Sequence, residues 1–387
     1  MTYKNAMFID IESFYHERFT SGLHIQIREI FKRLVKKDYR PTILTLTHEI
    51  NKNFKPKNNA KVSHSYIDDI SLIEAQLPKS FQDFPEEYAS VIDTEIKDLD
   101  PKLIIFSVPS VFFNKGHLLI LKTILKRNIK TISIVGDPLF PNSKDQEKQL
   151  VDEYYGLLAM TKIITFSSRL SKLFFSESNI HAKVIPNLFS INEIVAKNGA
   201  HKHISLINHH PIKGREIFNA IAIKMPTKSF LVVENWPDVP EYIKPSPNVT
   251  FLKFLPNIRQ LYSKIKILLV PSLWEEGAGR VVIEAMLNGI PVIAHKIGGI
   301  SEFANGYVHF VTPPPIQKMP LIGTVLTPEI LPSDVEKTSN SFVKKIKIID
   351  NSTYSLKKYS IAAKKWALKY CANAEAIFED FIEELAE

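Results

Sequence analysis

Cysteine and long hydrophobic runs are two features that this sequence lacks. Cys371 is its one cysteine in 387 residues, which excludes an internal disulfide framework and is typical of a reducing cytosol. No apolar run approaches the roughly 20 residues that a membrane-spanning helix needs. The first apolar run also contains Asp10 and Glu12, and charges at those places argue against a secretory signal peptide. We therefore expect a cytoplasmic protein.

The sequence also lacks the glycine pattern of a dinucleotide-binding enzyme, because no G-x-G-x-x-G follows a predicted strand. A dehydrogenase is therefore disfavoured. Hydrophobic residues make up 45% of the chain and charged residues 23%, as in globular proteins, and 387 residues suit two domains better than one core. The formal net charge of +8 suits anionic ligands such as nucleotide sugars or phospholipid surfaces, but it identifies none of them.

The most informative stretch of the sequence runs from Lys266 to Glu302. Its apolar residues 267–270 predict a buried parallel strand. The spacing over 280–287 predicts a short buried helix, and 291–294 predict the next strand. The polar residues of this strand–loop–helix–strand unit follow the first strand, and open α/β sheets bind their ligands at that end.

Two glutamates frame the loop of this unit. Glu276 lies in the loop and Glu284 lies on the helix, and a carboxylate can accept both hydrogen bonds of a vicinal diol. Gly277 and Gly279 allow the backbone to approach a ligand closely, and the helix start offers N–H groups to an anion. Spacing alone thus indicates a loop that binds a polyol and a phosphate, whereas an isolated pair of such acids is more often solvated.

The donor-site signature of family 4 of the GT-B glycosyltransferases closely resembles a longer pattern in this sequence: Pro271-Ser272, Glu276-x7-Glu284, Gly289-Ile290-Pro291-Val292 and Gly298-Gly299-x-x-Glu302. The resemblance implies an α/β fold in which two Rossmann-like domains face each other across a cleft. It also implies a retaining glycosyltransferase that uses a nucleotide-diphosphate sugar as substrate, with no cofactor and no metal. Closure of the two domains would exclude water from the reaction.

The same resemblance implies roles for the residues of the loop. Glu276 would hold the hydroxyls of the transferred sugar, and Glu284 would hold the ribose. The amides around Gly277, Ala278 and Gly279, together with a helix dipole, would stabilise the charge that grows on the leaving diphosphate.

The amino-terminal half resembles the acceptor domain of the same family. A strand at 6–11, a loop and an amphipathic helix precede a strand at 42–47. The family usually has two glycines in this loop, and this sequence has Ser21-Gly22 there, which we expect on the acceptor side. Further elements are predicted as strands at 103–108, 131–135, 163–166 and 184–187, a helix at 118–125 and an exposed loop at 51–60.

Asp137 is a further candidate catalytic or acceptor-binding residue, although a turn explains an aspartate there equally well. It follows Gly136 at the end of a predicted strand. Many relatives have a histidine at the Gly136 position that touches the transferred sugar, and that role has no counterpart here.

The second domain is predicted to begin with a strand at 204–207. Lys213-Gly214 then resembles a family element at a helix start, where a lysine suits a diphosphate and has a catalytic role. The family's arginine five residues earlier is replaced by Asn208. Arg280 either supplies the missing charge or is an exposed charge on its helix without a role in binding, and the sequence leaves both interpretations open. Strands at 230–233 and 249–252 and a helix at 257–263 follow.

A metal site is conceivable for four histidines at the start of the second domain, His201, His203, His209 and His210. Their spacing crosses a strand and no nearby cysteine completes a tetrahedral set, so a metal is disfavoured. A phosphate contact from His209 or His210 is the other alternative to a purely structural role.

A D-x-D sequence, the metal-binding motif of the other large glycosyltransferase architecture, occurs at Asp98-Leu99-Asp100. A predicted strand follows it directly. The two acids should therefore lie at the amino end of that strand, opposite the edge where ligands bind, and we expect no metal there.

We expect an acceptor domain over 1–190, a donor domain over 203–368 and a terminal helix over 369–387. The helix has one apolar face, formed by Ala374, Ile377, Phe378, Phe381 and Leu385. Such a face must cover an apolar surface. The resemblance implies that this surface belongs to the first domain, and packing on its own domain is the alternative.

The predicted function is transfer of a sugar from a nucleotide sugar to a glycan, lipid-linked or small-molecule acceptor. One rival is a nucleotide-sugar epimerase of similar architecture. The other is a non-catalytic sugar-nucleotide-binding subunit, which the changes at Gly136 and Asn208 make thinkable. No nucleic-acid partner is expected, and peripheral contact with the inner face of a membrane remains open.

Overall fold

The computed structural model describes residues 3–11, 22–48, 61–67, 70–77, 79–109, 113–138, 147–197, 199, 201–233, 246–252, 257–303, 306–322, 325–351 and 353–386. They form two compact units, Met1–Leu188 together with Phe378–Glu387, and Phe189–Ile377. The predicted loop at 51–60 and Ser21 lie outside the described residues.

The strands of the first unit are β1 (Lys4–Ile11), β2 (Tyr39–His48), β3 (Lys61–Ile67), β4 (Ile70–Leu77), β5 (Leu103–Ser107), β6 (Lys130–Val135), β7 (Lys162–Thr165) and β8 (Lys183–Val184). They pair in the order β3-β4-β2-β1-β5-β6-β7-β8. Every pairing is parallel except that of the edge strand β3 with β4. Because helices cover both faces of a parallel sheet, central strands such as β1 and β5 are continuous buried apolar runs.

The helices of the first unit are α1 (Gly22–Val35), α2 (Pro85–Leu99), α3 (Lys115–Leu125), α4 (Lys148–Leu158) and α5 (Ser168–Ser178). The order of the strands reverses between β1 and β5, which is the topological switch point of this sheet. Strands β3 and β4 and helices α2 and α4 correspond to no element that the sequence analysis predicted.

The strands of the second unit are β9 (His203–Ile207), β10 (Phe230–Val233), β11 (Val249–Leu252), β12 (Ile265–Val270), β13 (Val292–His295) and β14 (His309–Val311), with a small hairpin of β15 (Leu321–Ile322) and β16 (Val325–Leu326). The main sheet is parallel in the order β11-β10-β9-β12-β13-β14. Its order reverses between β9 and β12, so this sheet has its switch point there.

The helices of the second unit are α6 (Ile191–Ile194), α7 (Arg215–Lys224), α8 (Ile258–Tyr262), α9 (Arg280–Leu287), α10 (Ile300–Phe303), α11 (Pro332–Asp350) and most of α12 (Thr353–Ala386), with a 3₁₀ helix at Pro211–Lys213. The predicted strands at 230–233 and 249–252 and the helix at 280–287 have the predicted bounds. The terminal helix differs, because it begins at Thr353, well before residue 369.

The last turns of α12 belong to the first unit. Phe378 and Phe381 are buried, and the Lys183 ammonium lies over the Phe381 ring at 5.5 Å from its centroid. Ion pairs join Lys37 to Glu379 and Lys183 to Glu384, each at 2.5 Å. The apolar face of the helix therefore covers the first unit, as the resemblance implied. No helix in the described parts of the chain combines the length and apolarity of a membrane span.

Candidate functional site

Two loops meet at the switch point of the second sheet. The 3₁₀ helix Pro211–Lys213 follows β9, and the loop that begins at Pro271 follows β12. The Leu273 amide donates to the Ile212 carbonyl at 2.8 Å. Gly214 has φ +84° and lies so close to the second loop that a Cβ there would be 2.0 Å from the Pro271 carbonyl oxygen. A glycine is therefore required at 214 for the loops to approach this closely.

Lys213 and Glu276, predicted from separate motifs, are in direct contact across these loops. Lys213 Nζ donates to Glu276 Oε1 at 2.6 Å, and the two side chains are 22% and 14% exposed. Ser272 Oγ donates to the same carboxylate oxygen at 2.7 Å. The carboxylate is thus held by two donors on one oxygen, and it remains in reach of solvent.

The backbone of Glu276 is held from its other side by the loop that precedes α10. The Gly299 amide donates to the Glu276 carbonyl at 2.7 Å. A Cβ on Gly298, which has φ +56°, would lie 2.4 Å from that same carbonyl oxygen. The two glycines of the carboxy-terminal part of the signature therefore position Glu276.

His295 is a buried support of the same loop. Its Nδ1 lies 2.9 Å from the Ser272 carbonyl oxygen, and the geometry makes this nitrogen the donor because a carbonyl can only accept. Burial lowers the pKa of His295 to about 4, so the ring is neutral near pH 7. It fixes the backbone of Ser272, the residue that binds the Glu276 carboxylate.

Glu284 has a different environment from Glu276. It is only 3% exposed, and Tyr262 Oη donates to its Oε2 at 2.7 Å. Arg280 Nε lies 3.5 Å from its Oε1. Burial, and then the Glu284 charge, raise the pKa of Tyr262 well above its ordinary value, so the phenol keeps its proton and donates it to the carboxylate.

Arg280 is not an exposed charge on the surface of its helix. It is 9% exposed, and its guanidinium lies over the Phe189 ring at 4.3 Å from the centroid. Together with the Glu284 contact, this stacking holds Arg280 at the first turn of α9. Gly279 precedes that turn with φ +53°, and a Cβ there would lie 2.4 Å from Ile300.

The histidines after β9 have structural partners. His210 Nδ1 accepts from the Ile212 amide at 3.2 Å and caps the 3₁₀ helix. Burial first, and then the charges of Lys213 and Arg215, lower the pKa of His210 to about 4. His209 Nε2 lies 3.1 Å from Asn219 Oδ1. Burial also lowers the pKa of His209, so both rings are neutral near pH 7.

Arg215 is a cation of this site that the sequence analysis did not single out. It is the first residue of α7, directly after Gly214, and its side chain is 14% exposed. Its charge and that of Lys213 both lower the pKa of His210, so both cations lie near that ring. The Arg215 guanidinium donates to Glu216 Oε1 at 2.9 and 3.0 Å. Its place directly after Lys213-Gly214 is the sequence feature from which it could have been predicted. Asn208, where the family has arginine, is buried with φ +72°.

The remaining two histidines lie apart from this pair. His201 Nδ1 is 2.9 Å from the Ile265 carbonyl oxygen, and His203 Nδ1 is 2.8 Å from Ser229 Oγ. Within the described ranges, no three histidine, cysteine or acidic side chains are grouped as metal ligands.

The acceptor-side candidates lie in the first unit. Gly22 is the first residue of α1, and Asp137 is half-buried just after β6. The structure adds a pair at the same sheet edge, in which His24 Nε2 lies 3.1 Å from Asp10 Oδ2 at the end of β1. Leu23 packs beside Gly136, where a Cβ would be 3.6 Å from the leucine Cδ1.

Asp98 and Asp100 lie where the sequence analysis predicts them. Asp98 is in the last turn of α2, and Asp100 caps that helix with φ +45°. Asp100 binds Lys102 at 2.6 Å, and the strand β5 begins only after them. They are at the amino end of β5, away from the switch-point edge.

Comparison with known proteins places a family signature on the second unit. Residues 242–323 match the family described as "Glycosyl transferases group 1". A 95-residue segment is 30% identical to an uncharacterized 42.6 kDa protein in the cps region of Klebsiella pneumoniae, and this match spans about a quarter of each chain. The family match confirms the resemblance that the sequence analysis drew from the same stretch.

Solved structures with similar folds match the chain over almost its whole length. Anabaena HepE in complex with UDP and glucose is similar with a TM-score of 0.69 and 16% identity over 100% of both chains. A sucrose-phosphate synthase from Thermosynechococcus elongatus has a TM-score of 0.67 at 14% identity over 98% of both chains. A glycosyltransferase from Rickettsia africae has a TM-score of 0.68 at 16% identity, covering 100% of this chain and 98% of the other. These likenesses confirm the GT-B fold.

Proposed function

We propose that this chain, which has the GT-B fold and a group 1 glycosyl transferase segment, is a retaining glycosyltransferase. It transfers a sugar from a nucleoside-diphosphate sugar to a hydroxyl group of an acceptor. The observation that carries the proposal is the Lys213–Glu276 contact at the switch point of the second sheet. A cation for the diphosphate and a carboxylate for the sugar hydroxyls lie side by side there.

The diphosphate is held by positive charge and by backbone amides. Lys213 and Arg215 flank the start of α7, and the amides of Gly277, Ala278 and Gly279 lead into the start of α9. Helix N-termini bind phosphate because their first N–H groups lack partners within the helix. Arg215 is a second candidate to replace the arginine missing at Asn208. Its guanidinium donates to Glu216, whose side chain is 39% exposed, whereas Arg280 is held by the buried Glu284 and by Phe189.

Glu276 and Glu284 bind different parts of the rest of the donor. Glu276 is partly exposed and has one oxygen occupied by Lys213 and Ser272, so its other oxygen serves the hydroxyls of the transferred sugar. Glu284 is held by Tyr262 in a buried site, and it serves the ribose hydroxyls. A carboxylate oxygen has two lone pairs, so the Tyr262 bond still leaves acceptor capacity on Glu284.

In the reaction, the bond between the anomeric carbon and the diphosphate oxygen breaks, and the acceptor hydroxyl forms a new bond on the same face of the sugar. Negative charge grows on the departing diphosphate, where Lys213, Arg215 and the two helix starts stabilise it. The departing phosphate oxygen takes the hydroxyl proton. No step uses a divalent cation, because the protein's own cations and amides meet this charge.

The acceptor side is assigned to the carboxyl edge of the first sheet, with Gly22 and Asp137 as its residues. A glycan, a lipid-linked sugar or a small polyol each presents the hydroxyl that the reaction requires. The reaction takes place in the cytoplasm, where nucleotide sugars are present as donors.

A thermal-shift panel of UDP, GDP, ADP and dTDP, followed by their sugars, tests the proposal. Binding of one nucleoside diphosphate at 100 times its Kd raises stability by about 2.7 kcal/mol, and the unfolding midpoint rises with it. Product analysis with the best donor then separates the alternatives. A sugar on a second molecule supports a transferase, an epimerised donor indicates the epimerase, and binding without turnover indicates a non-catalytic subunit.

A further inference from the structure

The middle of α12 has lysines but no acidic residue. Between Thr353 and Ala374 the sequence contains no aspartate or glutamate, and its lysines there are Lys357, Lys358, Lys364, Lys365 and Lys369. The acids of the helix all follow, from Glu375 onward. Because the acids that bind the first unit are confined to the last turns, the middle of the helix has a concentrated positive charge.

Small side chains form the buried face of this part of the helix. The buried face consists of Ala363, Ala367, Cys371 and Ala374. The opposite face is exposed, with Ile361 at 62% and Leu368 at 40%. Large aliphatic side chains with this exposure leave apolar area in water, which is unfavourable in proportion to that area.

The exposed apolar residues and the lysines occupy one face. At 100° per residue, Ile361, Lys365 and Leu368 form its centre, and Lys364 and Lys369 lie on its two flanks. All three lysines are exposed. We name this set of five residues, Ile361, Lys364, Lys365, Leu368 and Lys369, the α12 stripe.

The stripe lysines differ from Lys228 and Lys266 of the same unit. Lys228 and Lys266 both bind Asp350 at the end of α11, whereas no ion pair joins Lys364, Lys365 or Lys369 to a carboxylate in the described part of the chain. No carboxylate among the described residues therefore neutralises these three charges.

We propose that the α12 stripe docks on an anionic lipid surface. Lysines that flank exposed aliphatic side chains suit a bilayer, because the methylene stems and the Ile361 and Leu368 side chains enter the interface while the ammonium groups stay at the phosphates. The formal net charge of +8 favours the same partner. A second copy of the chain is disfavoured as the occupant, since two lysine faces repel each other.

Vesicle co-sedimentation of the full chain tests this inference, with phosphatidylcholine vesicles and vesicles of equal parts phosphatidylcholine and phosphatidylglycerol. We expect binding to the anionic vesicles alone, and loss of it at high salt. The variant Lys364→Gln, Lys365→Gln, Lys369→Gln should lower the partition coefficient at least tenfold. Ile361→Ser with Leu368→Ser should also lower it severalfold.

The first control removes the same number of charges elsewhere, and the second removes one exposed aliphatic side chain elsewhere. Lys97→Gln, Lys115→Gln, Lys126→Gln changes three exposed lysines of the first unit, and Ile223→Ser changes an isoleucine that is 67% exposed. Both controls should retain vesicle binding within about twofold. Equal losses in the stripe and control variants would show that only net charge matters, and absent binding of the unmodified protein would overturn the proposal outright.

Two further outcomes would also overturn it. If Ile361→Ser with Leu368→Ser converts a dimer to a monomer in solution, the stripe is an interface between copies. If a single-stranded oligonucleotide binds with the same dependence on the stripe lysines while vesicles do not, the partner is a nucleic acid. Thermal unfolding with the nucleoside diphosphate, measured on each variant, distinguishes loss of docking from loss of donor binding, because the stripe contains no residue of the donor site.

Discussion

The ammonium of Lys213 lies 2.6 Å from the carboxylate of Glu276, although the two residues come from different strand–loop–helix units. This contact joins the part of the site assigned to the diphosphate with the part assigned to the sugar. A substitution of either residue should therefore alter the environment of the other. Binding measurements with parts of the donor, such as the nucleoside and the nucleoside diphosphate, can separate their roles.

Glu276→Gln should abolish turnover with little loss of nucleoside diphosphate affinity. The diphosphate contains no part of the transferred sugar, and Lys213 remains available to it when the ion pair is lost. Glu284→Gln keeps an acceptor for Tyr262 but removes the charge from the ribose contact. Its affinity should fall about tenfold, since a charged hydrogen bond is worth roughly 1.5–3 kcal/mol. Calorimetry with equal losses in both variants would contradict this division of roles.

Lys213→Ala should weaken nucleoside diphosphate binding by about ten- to a hundredfold, because a charge-assisted contact to phosphate is lost. The matching nucleoside, which has no phosphate, should bind both forms alike. Lys264→Ala, at an exposed lysine, is the control and should affect neither ligand. Equal losses for diphosphate and nucleoside would show that the cation of the site lies elsewhere.

Gly214→Ala should destabilise the second unit by at least about 2 kcal/mol. The substitution forces an alanine to φ +84° and places its Cβ against the Pro271 carbonyl. Gly156→Ala is the control, since Gly156 lies within α4 and a Cβ there meets nothing within 4 Å. That variant should gain about 0.5–1 kcal/mol from helix propensity. Urea unfolding of both variants measures the difference.

Stability should fall as the pH is lowered from 6.5 towards 4. The pKa values of His117, His210 and His295 are each lowered to about 4 by burial, whereas the unfolded chain titrates near 6.5. The unfolded state therefore binds more protons in this window, and each histidine costs up to about 1.4 kcal/mol per pH unit. Urea unfolding at several pH values measures the slope.

His117 can be tested separately from the other two histidines, because it lies in the first unit. His117→Gln should make the dependence of unfolding free energy on pH shallower, whatever its effect on stability at pH 8. His181→Gln, at an exposed ring, should leave the slope unchanged. If the unmodified protein, His117→Gln and His181→Gln all have the same slope, His117 does not stay neutral in the folded state.

Transfer should proceed in excess EDTA. The charge on the leaving group is met by Lys213, Arg215 and helix starts, so a divalent cation is not needed. The double variant Asp98→Asn, Asp100→Asn should also remain active, because both acids lie at the amino end of β5. Loss of activity on chelation, recovery with Mn²⁺ and an inactive double variant would together contradict the placement of the active site.

Local patterns were sufficient to predict the strand–loop–helix unit that contains Glu276 and Glu284. The strand before Pro271, the helix over 280–287 and the two glutamates form a continuous stretch in which period, turn residues and chemistry agree. Helix α9 has the predicted bounds. Strands β3 and β4 could not be predicted in this way, because β3 pairs antiparallel at the sheet edge and its stability comes from that neighbour rather than from its own sequence.

Sequence by itself determined the α/β class, the order of most elements and the choice of candidate site residues, since these depend on periodicity and on residue type. Only the tertiary structure decided which of those residues meet. It brought Lys213 to Glu276, placed Tyr262 on Glu284, stacked Arg280 on Phe189 and identified Arg215 as a second cation beside His210. The physical reason is that the first three contacts join residues from separate elements, and a one-dimensional pattern contains no distance between them. Arg215 and His210 are close in sequence, but only the fold shows that the ring is buried near that charge.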